Sequence, residues 1–163
     1  MTAPLRRSAL VLAALALGGC GLFGTSRAPD AEMPGAEPPS RLVTVEMAGA
    51  DDMNAGGNAA RVYLYPLASQ ATFLSTPVQV FWTDPAATLG ADLLGTARDA
   101  TVRPGDTTRL DELALGDAAF LGIAVDLREP VGTTWRTVLP AADVRGKTLT
   151  IRVGAGGLQA STR

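Results

Sequence analysis

The sequence contains no histidine and only one cysteine among its 163 residues. Without histidine there is no imidazole for general acid–base catalysis, for a metal site or for a Ser-His-Asp or Cys-His arrangement. A single cysteine excludes an intrachain disulfide and a thiolate metal cluster. We therefore expect neither an enzyme nor a protein with a metal or another cofactor.

Aromatic residues and positive charge are also scarce. Aromatics make up 5% of the chain and hydrophobic residues 47%, so the core has to be built mainly from Val, Leu, Ile and Ala. The formal net charge is −2, and no basic stripe with interleaved aromatics runs along the chain. We expect no nucleic-acid partner. The length allows one modest domain besides a targeting sequence.

The first twenty residues have the pattern of an export signal with a lipid attachment site. Arg6 and Arg7 precede a small and apolar run from 8 to 17 that is too short to span a bilayer. The Leu-Gly-Gly-Cys that follows resembles the lipobox of bacterial lipoproteins, in which cleavage frees a cysteine that is then lipidated. We predict that residues 1–19 are a signal peptide and that Cys20 carries the lipid. An unmodified cysteine behind an ordinary secretory signal is the alternative.

Lipid on Cys20 would hold the mature chain at a membrane, at about 0.8 kcal/mol for each buried CH₂ group. Gly21 stands where enteric inner-membrane lipoproteins carry Asp, so we expect the outer membrane, with the domain facing the periplasm. Residues 20–40 comprise the lipidated cysteine and a flexible linker rich in Gly, Ala and Pro. At ~3.1 Å per residue this linker reaches up to ~60 Å.

From residue 41 the pattern changes to one of short strands. Val43, Val45 and Met47 alternate with polar residues, as in a half-buried strand. Similar segments recur at 61–65, 96–102, 107–115, 121–127, 135–139 and 148–153. Turn residues separate these segments, which favours about seven strands in an antiparallel β-sandwich.

Turn residues mark the ends of strands within the domain and at its C-terminal boundary. Arg-Pro-Gly-Asp at 103–106 has Pro and Gly at the second and third positions, the signature of a type II turn. We assign residues 41–155 to the sandwich. The Gly-rich end of the last strand leads into 156–163, which we predict to be a flexible C-terminal tail.

The segment 70–84 fits either a helix or a strand. Pro77 follows Ser-Thr, which suits the first turn of a helix with a hydroxyl cap. Val78, Phe81 and Trp82 then fall on one helical face. The alternation within 78–81 fits a strand equally well. The sequence favours a small helical insert and leaves this segment open.

Acidic residues are scattered over turns, and the loop between the first two strands holds the adjacent pair Asp51 and Asp52. A calcium site needs several oxygens that converge, and these carboxylates with Asn54 supply some of them. The alternative is an ordinary solvated loop. Asp111 and Glu112 follow one another in a predicted strand, so their side chains point apart and do not form a catalytic pair.

Six segments of the domain occur together in an order that resembles a known family. They are Arg-Val-Tyr-Leu-Tyr-Pro-Leu at 61–67, Phe73 followed by Asp84, Ala-Thr-Leu-Gly-Ala-Asp-Leu-Leu at 87–94, Arg-Pro-Gly-Asp at 103–106, Phe-Leu-Gly-Ile at 120–123 and Trp-Arg at 135–136. With the lipobox, they resemble the outer-membrane lipoprotein of the type VI secretion system, the TssJ (VasD, SciN) family. The resemblance spans residues 42–153.

The resemblance implies a mostly β, transthyretin-like sandwich with a small helical insert. It also implies an outer-membrane anchor that binds the periplasmic C-terminal domain of TssM, in a complex with TssL. The family's contact loop lies between the first two strands, so the resemblance places partner-binding residues at Asp51, Asp52, Met53, Asn54, Ala55 and Gly56. The alternative function is a periplasmic ligand- or ion-binding lipoprotein that uses the same loop.

Overall fold

The computed structural model describes residues 42–163, so the predicted signal peptide, Cys20 and the whole of the predicted linker lie outside the described residues. The strands are β1 (Leu42–Gly49), β2 (Ala60–Leu67), β3 (Arg98–Val102), β4 (Thr107–Ala114), β5 (Phe120–Val125), β6 (Arg136–Pro140), β7 (Thr148–Gly154) and β8 (Gly157–Thr162). The helical segments are α1 (Met53–Gly56), α2 (Ala71–Ser75), α3 (Val78–Thr83), α4 (Pro85–Leu89) and α5 (Ala141–Val144), with a 3₁₀ turn at Gly90–Asp92. Within this range, no helix has the length and apolar character needed to cross a bilayer.

The strands form two four-stranded sheets, which confirms the predicted β-sandwich. The first sheet has the order β4-β1-β7-β8 and the second the order β3-β2-β5-β6. The sequence predicts antiparallel pairing throughout, but β1 and β7 are parallel, with Thr44 opposite Thr148 and Gly49 opposite Val153. No tight hairpin links these two strands, and only a hairpin would force them to be antiparallel.

The interior between the sheets is aliphatic, as the composition predicts. Val43, Val45 and Met47 of β1 are fully buried, whereas the residues between them are only half-buried. The neighbouring β7 repeats this alternation with Leu149 and Ile151. Each buried side chain of this size contributes about 1.5–3 kcal/mol relative to exposure, so the alternation fixes which face of each strand turns inward.

The helical insert, which we define as residues 71–92, covers the outer face of the second sheet. The segment 70–84, which the sequence allows to be either helix or strand, is helical, with α2 and α3 on either side of Pro77. Phe81 is fully buried, and Val78 and Trp82 pack against the core beside it, which confirms the predicted helical face. The expected hydroxyl cap is absent, because Pro77 itself occupies the cap position.

Six of the eight aromatic residues pack together where this insert meets the second sheet, with neighbouring ring centroids 5.1–6.2 Å apart. They are Tyr63, Tyr65, Phe73, Phe81, Trp82 and Trp135. Gly122 of β5 faces this cluster, and a Cβ there would lie 2.8 Å from Leu67 Cδ1 and 3.2 Å from the Phe73 ring. The missing side chain therefore lets the insert lie close to the sheet and form a second, aromatic core.

Residues 156–163 contain a strand, so the prediction of a flexible tail is wrong. β8 pairs antiparallel with β7, from Leu149 opposite Thr162 to Gly154 opposite Gly157. Leu158 packs partly buried against the core. The Gly-rich residues form the tight turn of a hairpin, in which Gly157 adopts a φ of 101°. The glycines mark a turn and not the end of the fold.

Candidate partner-binding site

Four connections meet at one end of the sandwich, which we call the loop end. They are residues 50–59 between β1 and β2, 103–106 between β3 and β4, 126–135 between β5 and β6, and 155–156 between β7 and β8. The strand registers place them together, since Gly49 lies opposite Val153 and Ala60 lies opposite Val102. The predicted contact loop is therefore part of a larger surface.

Close backbone contacts fasten the β1–β2 loop to its neighbours. Ala50 N donates to Val153 O over 2.9 Å, and Gly105 N donates to Gly49 O over 2.9 Å. Gly49 has no room for a side chain, because a Cβ would lie 2.3 Å from a backbone oxygen of the β3–β4 turn and 2.5 Å from Met53 Sδ. The base of the loop is thus fixed on both sides.

Asn54 is a buried polar residue, 5% exposed, that joins two loops. Its Nδ2 donates to Ala59 O over 2.8 Å, and its Oδ1 accepts a hydrogen bond from Arg128 N over 2.7 Å. The first bond closes the β1–β2 loop and the second ties it to the β5–β6 loop. Both polar atoms of the Asn54 amide therefore take part in hydrogen bonds that hold the loop end together.

The backbone of α1 is left-handed. Asn54 and Ala55 have φ values of 48° and 59°, and Gly56 and Gly57 follow with 84° and 89°. Asn and Gly tolerate this region, whereas Ala costs roughly 1–2 kcal/mol. Asn58 Nδ2 closes the turn by donating to the carbonyl oxygens of Asn54 and Ala55. These bonds offset the strain and give a turn of fixed shape.

The structure divides the six predicted contact residues into two groups. Asp51, Asp52, Ala55 and Gly56 are exposed and accessible to a partner. Met53 is fully buried and Asn54 nearly so. For these two the expectation of direct contact is corrected: they position the loop, because their side chains turn into the domain.

The β5–β6 loop adds residues to the loop end that the contact prediction omits. Val131 is 71% exposed, and the charged side chains of Arg128 and Glu129 beside it are also exposed. The contact that places this loop joins residues 54 and 128, which lie 74 positions apart. No local sequence pattern reports such a contact.

The loop end does not assemble a metal site from the residues described. Across residues 42–163 no group of three or more His, Cys, Asp or Glu side chains is arranged to hold a metal ion. The third expected oxygen donor, Asn54 Oδ1, already accepts a hydrogen bond from Arg128 N. Asp51 and Asp52 alone supply too few oxygens for calcium, which takes six to eight.

The loop end lies opposite the end at which the chain enters the domain. β1 runs from Leu42 to Gly49, a distance of roughly 23 Å at about 3.3 Å per residue. β4 returns to the entry end, where Ala114 lies opposite Leu42. The segment that precedes residue 42 therefore joins the sandwich at one end, and the loop end occupies the other.

Comparison with solved structures finds the same fold in proteins of one secretion system. The type VI secretion lipoprotein TssJ1 of Pseudomonas aeruginosa is 26% identical, with a TM-score of 0.66 over 77% of this chain and 98% of that chain. Serratia marcescens Lip, described as a membrane bound component of the type VI secretion system, is 19% identical, with a TM-score of 0.62 over 77% and 98%. A chain in a structure described as the C-terminal domain of the type VI protein TssM from EAEC is 23% identical, with a TM-score of 0.63 over 74% and 97%.

Comparison with protein families agrees with these structures. A search of curated proteins gave no match. Residues 41–156 match the family described as type VI secretion lipoprotein, VasD, EvfM, TssJ, VC_A0113. The match includes both sheets up to the β7–β8 turn, together with the helical insert and all of the loop end. The chain belongs to the type VI secretion lipoprotein family of VasD, EvfM and TssJ.

Proposed function

We propose that this lipoprotein is the outer-membrane anchor of a type VI secretion membrane complex and that it binds the periplasmic C-terminal domain of TssM through the loop end. Lipid on Cys20 would hold it at the outer membrane, facing the periplasm, and TssL would belong to the same complex. Family membership supports the secretion role, and the match to a structure described as the TssM C-terminal domain supports the partner. The proposed role is assembly, without catalysis or a cofactor.

One observation carries the choice of contact surface: the loop end lies at the far end of β1 from Leu42. A partner from the inner membrane approaches a tethered domain from the side away from the tether. Loops on a rigid scaffold commonly carry binding. A lipid anchor with a linker also confines the search for the partner to a thin layer and raises its effective concentration.

The charge of the loop end indicates the kind of surface it fits. Five acidic residues and two arginines are exposed in the loops of this surface. They are Asp51, Asp52, Asp106, Asp126, Glu129, Arg103 and Arg128. The exposed Val131 supplies an apolar contact among them. We infer a partner surface that is mainly basic, with binding that weakens as salt rises.

Calorimetry tests this proposal directly. The mature chain from residue 20, with Cys20→Ser to keep it free of lipid, is titrated with the periplasmic domain of TssM from the same organism. We expect saturable binding at roughly micromolar Kd or tighter, a free energy of about −8 kcal/mol. Absence of binding by a folded chain would make the assignment of TssM wrong.

Variants locate the surface. Asp51→Asn with Asp52→Asn removes two exposed charges without touching the buried Met53 or Asn54. We expect this pair to weaken binding by on the order of tenfold at low salt. Asp143→Asn, on α5 at the opposite end of the sandwich, is the matched control and should leave Kd unchanged. Equal affinity of all three proteins would move the contact away from the β1–β2 loop.

A further inference from the structure

A groove on the outer face of the second sheet is separate from the loop end. It has a volume of about 430 Å³ and lies between the helical insert and β3. Its walls include Tyr63, Tyr65, Pro85, Leu93, Ala97 and Asp99. Its ionisable carboxylates are Asp84 and Asp99, and no Lys or Arg of the described chain lines it. We call it the acidic groove; its volume is within the range of ligand pockets.

Tyr65 brings an unpartnered hydroxyl to the acidic groove. The residue is only 2% exposed, yet its hydroxyl has no hydrogen-bond partner among residues 42–163. Among residues 42–163, the side-chain polar atom that is both fully buried and without a partner is Arg136 Nε. The Tyr65 hydroxyl is not such an atom, so it remains accessible from the groove. Burial raises the pKa of Tyr65, and Tyr63 and Asp99 raise it further, so the hydroxyl keeps its proton. A phenolic hydroxyl that is accessible and has no partner within the domain is free to accept a hydrogen bond from a ligand.

The edge of β3 beside the groove has free backbone groups. β3 is the outermost strand of the second sheet. Thr108 Oγ1 donates to Thr101 O over 3.2 Å, so the Thr101 carbonyl points away from β2. Alternate residues of a strand direct their backbone groups to the same side. Asp99 therefore has its N–H and C=O on the free edge, while its side chain shares a face with Tyr63, its register partner.

The two carboxylates retain capacity for a cation. Arg61 Nε lies 3.4 Å from Asp99 Oδ2, but these side chains are 56% and 44% exposed. Such a solvated pair is weak and easily displaced. Asp84 Oδ1 accepts from Ala87 N at the start of α4, which leaves its second oxygen free of that bond. The groove is thus negative, with apolar walls and an unused hydroxyl.

We propose that the acidic groove and the free edge of β3 bind an extended polypeptide segment that inserts an arginine or lysine side chain. The apolar walls cover the aliphatic stem, as they do for long cationic side chains elsewhere. Asp99 pairs with the charged head, and the Tyr65 hydroxyl oxygen accepts a hydrogen bond from it. The backbone of the segment pairs with β3. This inference does not depend on the proposed binding of TssM at the loop end.

Paired peptides test the proposal on the full chain in detergent micelles. The probe is a capped heptapeptide of alternating threonine and valine with a central arginine. The control peptide carries citrulline, which has a similar shape but no charge. Binding is followed by the fluorescence of Trp82, whose ring lies 5.3 Å from that of Tyr63, and by the amide resonances of residues 95–99.

We expect saturable binding of the arginine peptide and binding on the order of fivefold weaker for the citrulline peptide. Equal affinities would overturn the proposal, because the charge would then play no part. N-acetyl-arginine methylamide is a third probe. If it binds as tightly as the peptide, the site takes a small cation and the polypeptide assignment is wrong.

Variants separate binding from folding. Tyr65→Phe keeps the ring and should weaken the arginine peptide without lowering Tm, because the hydroxyl has no partner to lose. Asp99→Asn should abolish the preference for arginine over citrulline. Asp143→Asn, outside the groove, should change neither. A lower Tm for Tyr65→Phe with peptide binding intact would show that the hydroxyl is structural and would overturn the proposal.

Discussion

The amide of Asn54 holds two loops in one arrangement, and its removal should be costly. Asn54→Ala leaves Ala59 O and Arg128 N without their partners. It also places Ala at a φ of 48°, which Asn tolerates better. We expect a loss of about 2 kcal/mol in the free energy of unfolding, measured in urea. Asp52→Ala, exposed and two residues away, should change it by less than about 0.5 kcal/mol. Similar losses would contradict this role for the amide.

Two glycines at the ends of neighbouring strands should respond differently to the same substitution. Gly49→Ala puts a Cβ 2.3 Å from a backbone oxygen and 2.5 Å from Met53 Sδ. Overpacking of this kind costs about 1–3 kcal/mol. At Gly154 the nearest atom to a new Cβ is 3.8 Å away, an ordinary contact. Thermal unfolding should show a lower Tm for Gly49→Ala and little change for Gly154→Ala, and equal Tm values would refute the close approach.

Sequence reasoning reaches the exposed part of the loop end but not its support. Asp51 and Asp52 stand out because two carboxylates in a turn-rich segment remain in water. The buried roles of Met53 and Asn54 depend on contacts with Gly49 and with Arg128, the latter 74 residues away. A polar Asn in a loop gives no local sign that its amide is buried. The contact prediction therefore named six consecutive residues where the structure exposes four.

Arg136 connects the helical insert to the second sheet. Its Nη1 donates to the carbonyl oxygens of Phe73 and Thr76, the latter over 2.7 Å, and its Nη2 donates to Leu74 O. The guanidinium carbon also lies 4.5 Å from the centre of the Trp135 ring. These carbonyls belong to the C-terminal end of α2, where helices lack internal donors and favour cations. Desolvation by burial lowers the pKa of Arg136, so these contacts have to offset the cost of its burial.

We expect Arg136→Ala to release α2 and α3 before it affects the strands. The loss should be about 2 kcal/mol or more, since hydrogen bonds from a charged group contribute about 1.5–3 kcal/mol. Hydrogen exchange should accelerate in residues 71–83 more than in β7. Arg136→Lys should restore little, because an ammonium lacks the planar fork that reaches several carbonyls.

Arg109→Ala provides the contrast for this test. The Arg109 side chain is 60% exposed and pairs with the Asp111 side chain, which is 66% exposed. Solvated pairs of this kind contribute little to stability, because water and salt screen the charges. Hydrogen exchange in the insert should therefore stay unchanged in this variant. If Arg109→Ala and Arg136→Ala had the same effect on hydrogen exchange, the proposed role of Arg136 in holding α2 against the second sheet would be contradicted.

Strands in which apolar and polar residues alternate clearly are predictable from the sequence, and strands with weak alternation are not. Alternation identifies β1 and β7, and the turn at 103–106 forms as predicted, with Asp106 N donating to Arg103 O over 3.2 Å. β8 is not predicted, because its inward positions are Leu158 and the small Ala160. These give a weak apolar alternation after a glycine-rich turn. The parallel pairing of β1 with β7 is not predicted, because the two strands lie about a hundred residues apart in the sequence.

At the scale of the whole molecule, the aliphatic core and the aromatic core lie on opposite faces of the second sheet. β5 lies between them, and its residues from Leu121 to Val125 are all buried. The loop end is supported by the first core and the acidic groove by the second. Asn54→Ala and Arg136→Ala remove hydrogen bonds that have no partner in common, so we expect their losses in the free energy of unfolding to add.

The proposed anchor predicts that location and folding separate cleanly. Cys20→Ser should remove the chain from the outer-membrane fraction, because the thiol that carries the lipid is absent. Unfolding of residues 42–163 should be unchanged, since Cys20 lies outside this domain. Ser26→Ala, in the same linker, should leave fractionation as it is. Recovery of Cys20→Ser with the outer membrane would contradict lipid anchoring.

The same variant separates anchoring from partner binding. If the loop end binds TssM on its own, the soluble Cys20→Ser protein should match the affinity of the lipidated protein in micelles. Secretion in cells should nevertheless fall, because the proposed lipid anchor would keep the domain within ~60 Å of the membrane, the expected reach of its linker. A soluble variant that supports full secretion would mean that binding alone is sufficient and that the tether adds nothing to assembly.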